Sequence, residues 1–522
     1  MPLEDADLLS VQQARQLAAR ARKAQRVLAD FTQEQVDRIV EAMATVARSE
    51  AERLARLAHE ETGFGNVPDK TRKNLFVAEN VAAYIRPMRT VGILREDTVR
   101  RVVEIAEPMG VVAAVIPSTN PTSTTIYKAL VSIKARNACV MTPHPSAAGC
   151  IRETVKVLHP VAVAAGLPPD ALTCMDPVTL EGTRELMRCK DTGVVLATGG
   201  IGLVRAAYSS GKPAYGVGPG NVPAYVEKTA DVPRAVRDIL DGKTFDYGTL
   251  CSSEQALICD ADVAEQVREE VTTNGGYFLD EAQTEAVAKV VVTPRRLANP
   301  AIVGKPATFI AEQAGLSVPP GTRVLLAPLQ GVGGDYPLSI EKLSPVLAFY
   351  VVKDWHEACE RCLELLHFGG VGHTLGIHSR NDAVIREFAL KKPVFRIIAN
   401  SQTSLGATGC TTGLAPSMSL GCGAHAGNIT SDNITPLHLI NIKRLAYGLP
   451  SATRAAPATQ ERPKVPVEDG SAREELDFVA EADVRRAIES GRRLRLARSA
   501  IVTPAARDLA EGRDVLIDAP RD

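Results

Sequence analysis

The chain has 522 residues, 45% hydrophobic and 23% charged, with a formal net charge of −1 at pH 7. This length predicts two or three domains, and the near-neutral charge argues against nucleic acid or an anionic membrane surface as a partner. No apolar run approaches the ~18 residues of a membrane span, and the acidic first residues lack the apolar core of a secretory signal. Ten scattered cysteines predict reduced thiols in the cytoplasm rather than a disulfide framework.

The first half of the chain has a pattern typical of an α/β fold. Residues 8–60 are predicted to be helical, because apolar positions recur three and four apart. A period-two segment at 98–106 precedes the apolar run at 111–116, and from there to about residue 230 short β-branched runs alternate with helical stretches. This alternation predicts a parallel sheet of the dinucleotide-binding type. A second α/β region is predicted at 234–430.

The sequence changes character near its end. Residues 450–472 are rich in Ala, Pro, Thr and charge, which is typical of a linker. Within 473–522 we expect a short helix, an extended segment at 494–502, and a second helix with Thr503 as N-cap and Pro504 in its first position. This module has too few apolar residues to form a core of its own, so its helix is expected to need a partner surface.

Cys251 lies in a segment of small residues, TFDYGTLCSSEQ at 244–255, between a helix start and an apolar run. A cysteine in such a loop can be exposed and close to backbone N–H groups, as a nucleophile requires. A buried structural thiol is the alternative. The pair Cys359 and Cys362 has a spacing that zinc sites use, but its helical context and the lack of a second pair predict a structural helix and no metal site.

Three further segments carry groups suited to catalysis. The run GVVLATGGIGLV at 193–204 predicts a strand, a glycine turn and a helix start, where a pyrophosphate can approach the backbone. Asn120 follows a buried strand between two prolines, and a rigid amide can stabilise an oxyanion, although a turn-capping role is the alternative. His373, in the glycine-rich segment FGGVGHT at 368–374, is a candidate acid or base or else a structural histidine.

Together these segments resemble the aldehyde dehydrogenase superfamily, and most closely its coenzyme A-acylating branch. That branch includes the aldehyde dehydrogenase half of bifunctional aldehyde–alcohol dehydrogenases and related microcompartment enzymes. The resemblance covers about residues 8–448. It is carried in order by KAQ at 23–25, FTQEQV at 31–36, PSTNPTS at 117–123, PHP at 143–145, GVGPGN at 216–221, the Cys251 segment, EKLSP at 341–345, GHT at 372–374 and LAPSMSLG at 414–421.

The resemblance implies roles for individual residues. Cys251 matches the nucleophile, and Asn120 with the Cys251 N–H matches the oxyanion-binding donors. His144 stands where hydrolytic members usually carry a lysine to the adenosine ribose, and Glu341 matches the acid that holds the nicotinamide ribose. The implied cofactor-binding residues are Thr198, Gly199, Gly200, Gly202, His144, Pro145 and Glu341.

One departure from the hydrolytic members bears on the reaction. They place a glutamate about thirty-five residues before the cysteine to activate water, and here that position is Gly216. Without this base a thioester at Cys251 can survive until a thiol attacks it. The resemblance therefore implies oxidation of acetaldehyde or propionaldehyde to acyl-CoA, with NAD as cofactor (NADP remaining open) and coenzyme A as co-substrate. His373 matches a histidine of the acylating branch and is expected to assist thiol attack or release of Cys251.

Three alternatives remain at this level. Sulfoacetaldehyde is the alternative substrate, because relatives in this branch use it. A hydrolytic enzyme producing free acid is a second, and a non-catalytic scaffold is a third. Gly216 argues against hydrolysis, and the presence of Cys251, Asn120 and Glu341 argues against a scaffold.

The resemblance also implies an organisation of the whole chain. An aldehyde dehydrogenase-like fold would place a Rossmann-type NAD-binding domain at 1–233, a catalytic domain at 234–430, and a return segment at 431–449. Segments at 98–106 and near 428–441 would pair subunits in a homodimer or homotetramer. The module at 473–522 looks like the N-terminal segment of ethanolamine-utilisation accessory proteins, which implies a shell or partner-enzyme contact and a place inside a bacterial microcompartment. A docking extension without a targeting role is the alternative.

Overall fold

The computed structural model describes residues 5–449 and 475–517. Packing divides the chain into two units, residues 1–447 and 448–522. The predicted linker at 450–472 lies outside the described residues. Within the described ranges, no helix has both the length and the apolar character that crossing a membrane requires.

In the described part of the chain, five α-helices precede the first strand, and the sequence explains where several of them begin. Thr32 and Gln35 form a reciprocal cap at the second helix, in which each side chain accepts from the other's N–H. Asn66 caps the fourth helix, with Pro68 in its first turn. Apolar side chains on one side of each of the first three helices are buried, so the helical prediction for 8–60 is confirmed. The helices are α1 (Ala6–Leu28), α2 (Gln33–Ser49), α3 (Ala51–Thr62), α4 (Val67–Phe76) and α5 (Ala82–Ile85).

A parallel sheet with intervening helices fills the first half of the main unit, as the alternating pattern predicts. Its strands are β3 (Val111–Ile116), β4 (Ala138–Pro143), β5 (Leu172–Cys174), β6 (Thr192–Thr198) and β7 (Ala214–Val217). Its helices are α6 (Pro121–Lys134), α7 (Ala148–Ala164), α8 (Leu180–Arg188) and α9 (Ile201–Tyr208). The strand order is β5-β4-β3-β6-β7. The order therefore reverses between β3 and β6, and the carboxyl ends of strands at such a reversal form the usual ligand crevice.

A buried lysine joins the two strands at this reversal. Lys128 Nζ donates to Val115 O at 2.6 Å and to Leu196 O at 2.8 Å. Burial lowers the pKa of Lys128 to about 7. These two hydrogen bonds tie β3 to β6 directly beneath the crevice.

A second, seven-stranded parallel sheet fills the rest of the main unit. Its strands are β8 (Val222–Val226), β9 (Glu254–Asp260), β10 (Gly276–Phe278), β11 (Val324–Pro328), β12 (Val346–Val352), β13 (Gly372–His378) and β14 (Val394–Ala399). Its helices are α10 (Val232–Thr244), α11 (Ala264–Thr273), α12 (Glu281–Val291), α13 (Ala307–Gln313), α14 (Trp355–Gly369), α15 (Asp382–Lys391) and α16 (Thr403–Ala407). The strand order is β10-β11-β12-β9-β8-β13-β14. β9 is wholly buried, so the loop that precedes it has a rigid support.

Three antiparallel strands form a separate small sheet. They are β1 (Ile93–Asp97), β2 (Val102–Pro108) and β15 (Ile440–Ala446), with β2 in the centre. The prediction of an extended segment at 98–106 is wrong for its first four residues, because residues 98–101 form the turn between β1 and β2. In the subunit-pairing segment predicted near 428–441, the strand likewise begins only at Ile440. Hydrogen-bonded pairing of β2 with β1 and β15, rather than the sequence pattern, decides where β2 and β15 begin.

The second unit has a core of its own. It contains β16 (Leu476–Val479), α17 (Glu481–Ser490), β17 (Leu494–Val502), α18 (Pro504–Ala510) and β18 (Leu516–Ile517). The three strands are parallel, with β17 in the centre. Thr503 caps α18 as predicted. The expectation that this module lacks a core is wrong, because helices and strands together enclose a cluster that includes Val479, Val484, Leu496 and Ala506.

Candidate active site

A cavity of about 440 Å³ opens at the carboxyl ends of β3 and β6, where the strand order reverses. Residues predicted from distant parts of the sequence meet there. Those that line it are Asn120, His144, Pro145, Thr198, Gly199, Gly200, Cys251 and Glu341. Gly202 and His373 are not among the lining residues.

Cys251 stands half-buried in the turn before β9. The Ser253 N–H closes this turn by donating to Leu250 O at 3.0 Å. The Cys251 carbonyl packs against Gly220, where a Cβ atom would lie 2.5 Å from that oxygen. Burial, with Glu341 and Cys422 nearby, raises the pKa of the Cys251 thiol to about 12. In the ligand-free protein Cys251 is therefore a protonated thiol that must lose its proton before it can attack.

Asn120 lies in the loop between β3 and α6, immediately before the helix, but its side chain does not cap that helix. Its Nδ2 donates to Thr119 Oγ1 at 3.1 Å and to Thr249 O at 3.4 Å, and its Oδ1 accepts from Lys73 Nζ at 2.5 Å. The amide nitrogen thus faces the Cys251 loop, while Lys73 holds the amide oxygen on the opposite side. This arrangement suits an oxyanion donor rather than the turn-capping alternative.

A buried charge cluster behind Asn120 was missed by sequence reasoning. The Asp246 carboxylate accepts hydrogen bonds from Lys73, from Lys70 Nζ at 3.0 Å and from Thr249 Oγ1 at 2.6 Å. Both lysines and Asp246 are buried. Burial lowers the pKa of Lys73 to about 8, although Asp246 opposes the shift. Lysines in an amphipathic helix usually face solvent, so only their proximity to Asp246 in the fold identifies this cluster.

The glycine turn between β6 and α9 fits a dinucleotide pyrophosphate. Gly200 is the N-cap residue of α9, and a Cβ atom at Gly200 or Gly202 would meet nothing within 4 Å. The buried Thr198 Oγ1 has no hydrogen-bond partner within the described part of the chain. An open backbone, a free hydroxyl and a helix N-terminus together provide donors for phosphate oxygens.

His144 and Glu341 supply polar groups on other parts of the cavity wall. The Ser146 N–H donates to His144 Nδ1 at 3.3 Å, so His144 carries its proton on Nε2 when neutral and can donate from there. Glu341 Oε1 accepts from the Gly220 N–H at 2.9 Å, and burial raises the pKa of Glu341 to about 7. Among the described residues there is also no group of three or more His, Cys, Asp and Glu side chains that could hold a metal ion.

The position of the missing glutamate, Gly216, lies within β7 and outside the cavity lining. A Cβ atom there would approach Val204 Cγ1 to 2.8 Å and Tyr208 Oη to 2.9 Å. Of the described residues that line the cavity, only Glu341 carries a carboxylate, and that carboxylate accepts a hydrogen bond from Gly220. The site therefore contains Cys251 without a carboxylate at the position from which hydrolytic members activate water.

His373 differs from expectation in its surroundings. It is the second residue of β13 rather than part of a loop, and it is fully buried. Its Nδ1 lies 2.9 Å from Thr374 Oγ1, and its Nε2 has no partner in the described structure. Burial, with Arg396 nearby, lowers the pKa of His373 to about 3. The ring packs against Gly220, the residue that the Cys251 carbonyl also touches, so the His373 ring and the backbone of Cys251 meet at this glycine.

The geometry agrees with the comparisons to known proteins. A profile described as "Aldehyde dehydrogenase family" matches residues 2–275. The crystal structure of an acetylating aldehyde dehydrogenase from Geobacillus thermoglucosidasius is 52% identical, with a TM-score of 0.84, and the match covers 86% of this chain and 99% of that one. Succinate-semialdehyde dehydrogenase (acetylating) of Clostridium kluyveri is 37% identical over 433 residues, which are 83% of this chain and 95% of that protein.

A bifunctional enzyme is similar over part of its length. The aldehyde-alcohol dehydrogenase AdhE of Escherichia coli (strain K12) is 43% identical over 435 residues, 82% of this chain and 49% of AdhE. The chain thus spans about half the length of such bifunctional relatives.

The chain belongs to the aldehyde dehydrogenase family. The predicted α/β fold of that family is confirmed. The resemblance to its acylating branch is confirmed as well, since two of the three proteins above are named as acetylating enzymes.

The raised pKa of Cys251 predicts how the free thiol reacts. Only the thiolate is alkylated, and its fraction grows about ten-fold per pH unit at any pH well below the thiol pKa. With that pKa near 12, the rate of Cys251 alkylation by iodoacetamide should keep rising about ten-fold per unit from pH 7 to pH 9. Mass spectrometry of the Cys251 peptide from ligand-free protein measures this rate. A rate that levels off before pH 9 would contradict the predicted pKa.

Proposed function

We propose that the chain is a CoA-acylating aldehyde dehydrogenase that converts a short-chain aldehyde, NAD⁺ and coenzyme A into acyl-CoA, NADH and a proton. The observation that carries this proposal is a cavity that holds Cys251, Asn120 and a dinucleotide-type glycine turn, while Gly216 stands where hydrolytic members carry their glutamate. The names of the acetylating relatives support it.

In the first half-reaction the Cys251 thiolate attacks the aldehyde carbon. Negative charge then develops on the former carbonyl oxygen, which Asn120 Nδ2 and the Cys251 N–H would stabilise. Bound NAD⁺ supplies the hydride acceptor. The cofactor would lie beside Pro145. It would be held by the glycine turn with Thr198, by the Nε2–H of His144 and by the Glu341 carboxylate. Loss of hydride from the carbon leaves a thioester on Cys251.

In the second half-reaction the coenzyme A thiolate attacks this thioester and Cys251 leaves as a thiolate. Water competes poorly because Gly216 provides no carboxylate. We place His373 in this half-reaction as a neutral imidazole, because its pKa of about 3 keeps it unprotonated. Its unpartnered Nε2 can accept a hydrogen bond, and its ring contacts Gly220 beside the Cys251 carbonyl.

Single-turnover kinetics test this assignment. Without coenzyme A, the enzyme should release a burst of NADH close to one per site and then stall, and coenzyme A should restore turnover. His373→Ala should slow the coenzyme A-dependent phase more than the burst. Steady NADH release with free acid as product would instead support the hydrolytic alternative. Glu341→Gln would then show whether Glu341 is the base.

The charge of the cavity wall supports a choice of cofactor and substrate. Among the described residues that line it there is neither lysine nor arginine. A 2′-phosphate or a sulfonate would lack a cationic partner there. This favours NAD over NADP, and acetaldehyde or propionaldehyde over sulfoacetaldehyde. Comparing kcat/KM for the two cofactors and three aldehydes tests both choices.

The small antiparallel sheet supports a proposal about assembly. Ile93 and Leu445 on its two outer strands are each 45% exposed, and the outer edges of both strands have no described strand beside them. We propose that this sheet pairs subunits in a homodimer or homotetramer. Light scattering of the purified chain measures the oligomeric state, and a monomer would contradict the proposal.

The sheet of the second unit has exposed apolar side chains that suit a role in localisation. Phe478 and Ile501 form a cross-strand pair on its sheet and are 56% and 65% exposed, which suits a contact with another protein. We propose that this unit directs the enzyme into a bacterial microcompartment.

Removing residues 450–522 should leave the activity per folded enzyme largely unchanged, because every lining residue of the cavity precedes residue 344. The same truncation should change where the protein localises. A fluorescent protein fused to residues 473–522 tests localisation in cells that make a cognate microcompartment. Diffuse fluorescence, together with loss of activity on truncation, would favour the docking alternative.

A further inference from the structure

Lys73 is a buried lysine that reaches the amide of Asn120 from behind. It belongs to α4, and its side chain is 3% exposed. Its Nζ donates to Asn120 Oδ1 at 2.5 Å and also to the carboxylate of Asp246. Lys73 does not line the cavity, so any influence on the reaction must pass through Asn120 or the Cys251 loop.

The chemistry of the ammonium group determines which way the amide points. A lysine ammonium has three donors and no acceptor, so only the oxygen of an amide can face it. The Asn120 oxygen is therefore held on Lys73, and the nitrogen must point to the opposite side. That nitrogen lies within hydrogen-bonding distance of Thr119 Oγ1 and Thr249 O, next to the Cys251 loop.

We propose that Lys73 is a positioning residue for the hydride-forming half-reaction, which it supports by holding the Asn120 amide with its N–H₂ group toward the oxyanion. This inference rests on the proposed function. If Asn120 were inverted, an acceptor oxygen would face the developing negative charge. A cation on Oδ1 also polarises the amide and makes its N–H group a stronger donor.

Asp246 keeps Lys73 in place and joins it to the nucleophile loop. Asp246 and Tyr247 have positive φ values of 47° and 52°, a conformation that costs energy in non-glycine residues. The Asn66 N–H holds Asp246 at 2.8 Å and the Thr249 hydroxyl holds it at 2.6 Å. One charge cluster therefore links α4, the loop after β3 and the turn that carries Cys251.

Lys70 provides a matched control within the same helix. It is equally buried, and its Nζ donates to the same Asp246 oxygen at 3.0 Å. Its other partner is the backbone oxygen Thr119 O at 3.2 Å rather than the Asn120 side chain. Loss of either lysine disturbs the Asp246 charge balance, but only loss of Lys73 frees the Asn120 oxygen.

The test is a double-mutant cycle on the full chain. Lys73→Met should lower the rate of the NADH burst with acetaldehyde by about 10²-fold, the scale of one lost oxyanion donor. Lys70→Met should lower it only a few-fold. In an Asn120→Ala background, Lys73→Met should cost less than about three-fold, because the two residues act as one unit. The Kd for NAD⁺ should be the same in all four variants.

Equal losses in Lys73→Met and Lys70→Met would overturn the proposal, and so would a full additional loss in the Asn120→Ala background. If Lys73→Met fails to fold, Lys73→Gln serves in the same cycle. The glutamine amide can donate to Asn120 Oδ1, so the burst rate of Lys73→Gln should fall between those of wild type and Asn120→Ala. A rate no better than that of Asn120→Ala would count against the proposal. A wild-type enzyme without any burst would refute the proposed function instead.

Discussion

Replacing Cys251 by alanine is expected to abolish formation of acyl-CoA and NADH. In the proposed mechanism this side chain carries the covalent intermediate in both half-reactions, and no other cysteine is among the described residues that line the cavity. NAD⁺ binding should remain nearly intact, because the proposed polar contacts to the cofactor come from the glycine turn, His144 and Glu341. Assays with aldehyde, NAD⁺ and coenzyme A measure the first effect, and calorimetry measures the second.

Cys359→Ala is the matched control for this experiment. Cys359 is also a half-buried free thiol, but it lies on α14 and does not line the cavity. Its replacement should leave turnover near the wild-type value. Residual turnover of more than a few per cent in Cys251→Ala would remove Cys251 from the role of nucleophile.

Asn120→Ala is expected to slow the hydride-forming step by roughly 10²–10³-fold, the usual cost of losing one oxyanion donor. The Cys251 N–H would be the remaining donor, so some activity should persist. The burst rate under single-turnover conditions reports this step directly. Thermal unfolding of the variant shows whether the change is confined to the site.

Asn120→Asp tests whether Asn120 acts as a hydrogen-bond donor, because it exchanges the amide for a carboxylate of nearly the same shape. A carboxylate can still accept from Lys73 but presents acceptors, not donors, toward the oxyanion. The burst should therefore be at least as slow as in Asn120→Ala. A faster burst in Asn120→Asp would mean that Asn120 acts through packing rather than by donating a hydrogen bond.

Local features of the chain were predictable from the sequence where a short segment carries the whole signal. The cap at Thr503, the glycine turn after β6 and the buried strand ending at Ile116 depend on neighbours along the chain. The family and the candidate nucleophile followed from ordered motifs, and the absence of a glutamate at Gly216 indicated the reaction type. Each of these conclusions concerns residue types at given positions, which a sequence displays directly.

Burial and long-range contacts were decided only by the tertiary structure. His373 follows glycines that suggest a loop, yet pairing with neighbouring strands makes it part of β13. The second unit has few apolar residues, yet a parallel sheet with two helices brings enough of them together to form a core. In both cases the outcome depends on partners that sequence periodicity does not identify.

The Lys73 cluster shows the same limit at the candidate active site. Lys73 is separated from Asn120 by 47 residues and from Asp246 by 173, and no local pattern distinguishes it from a solvent-facing lysine of an amphipathic helix. Burying an ammonium is favourable only when its partners are already in place. Residue order alone therefore determined the family and the candidate groups of the site. The fold determined which buried charge holds the Asn120 amide, because that interaction exists only after distant segments have packed together.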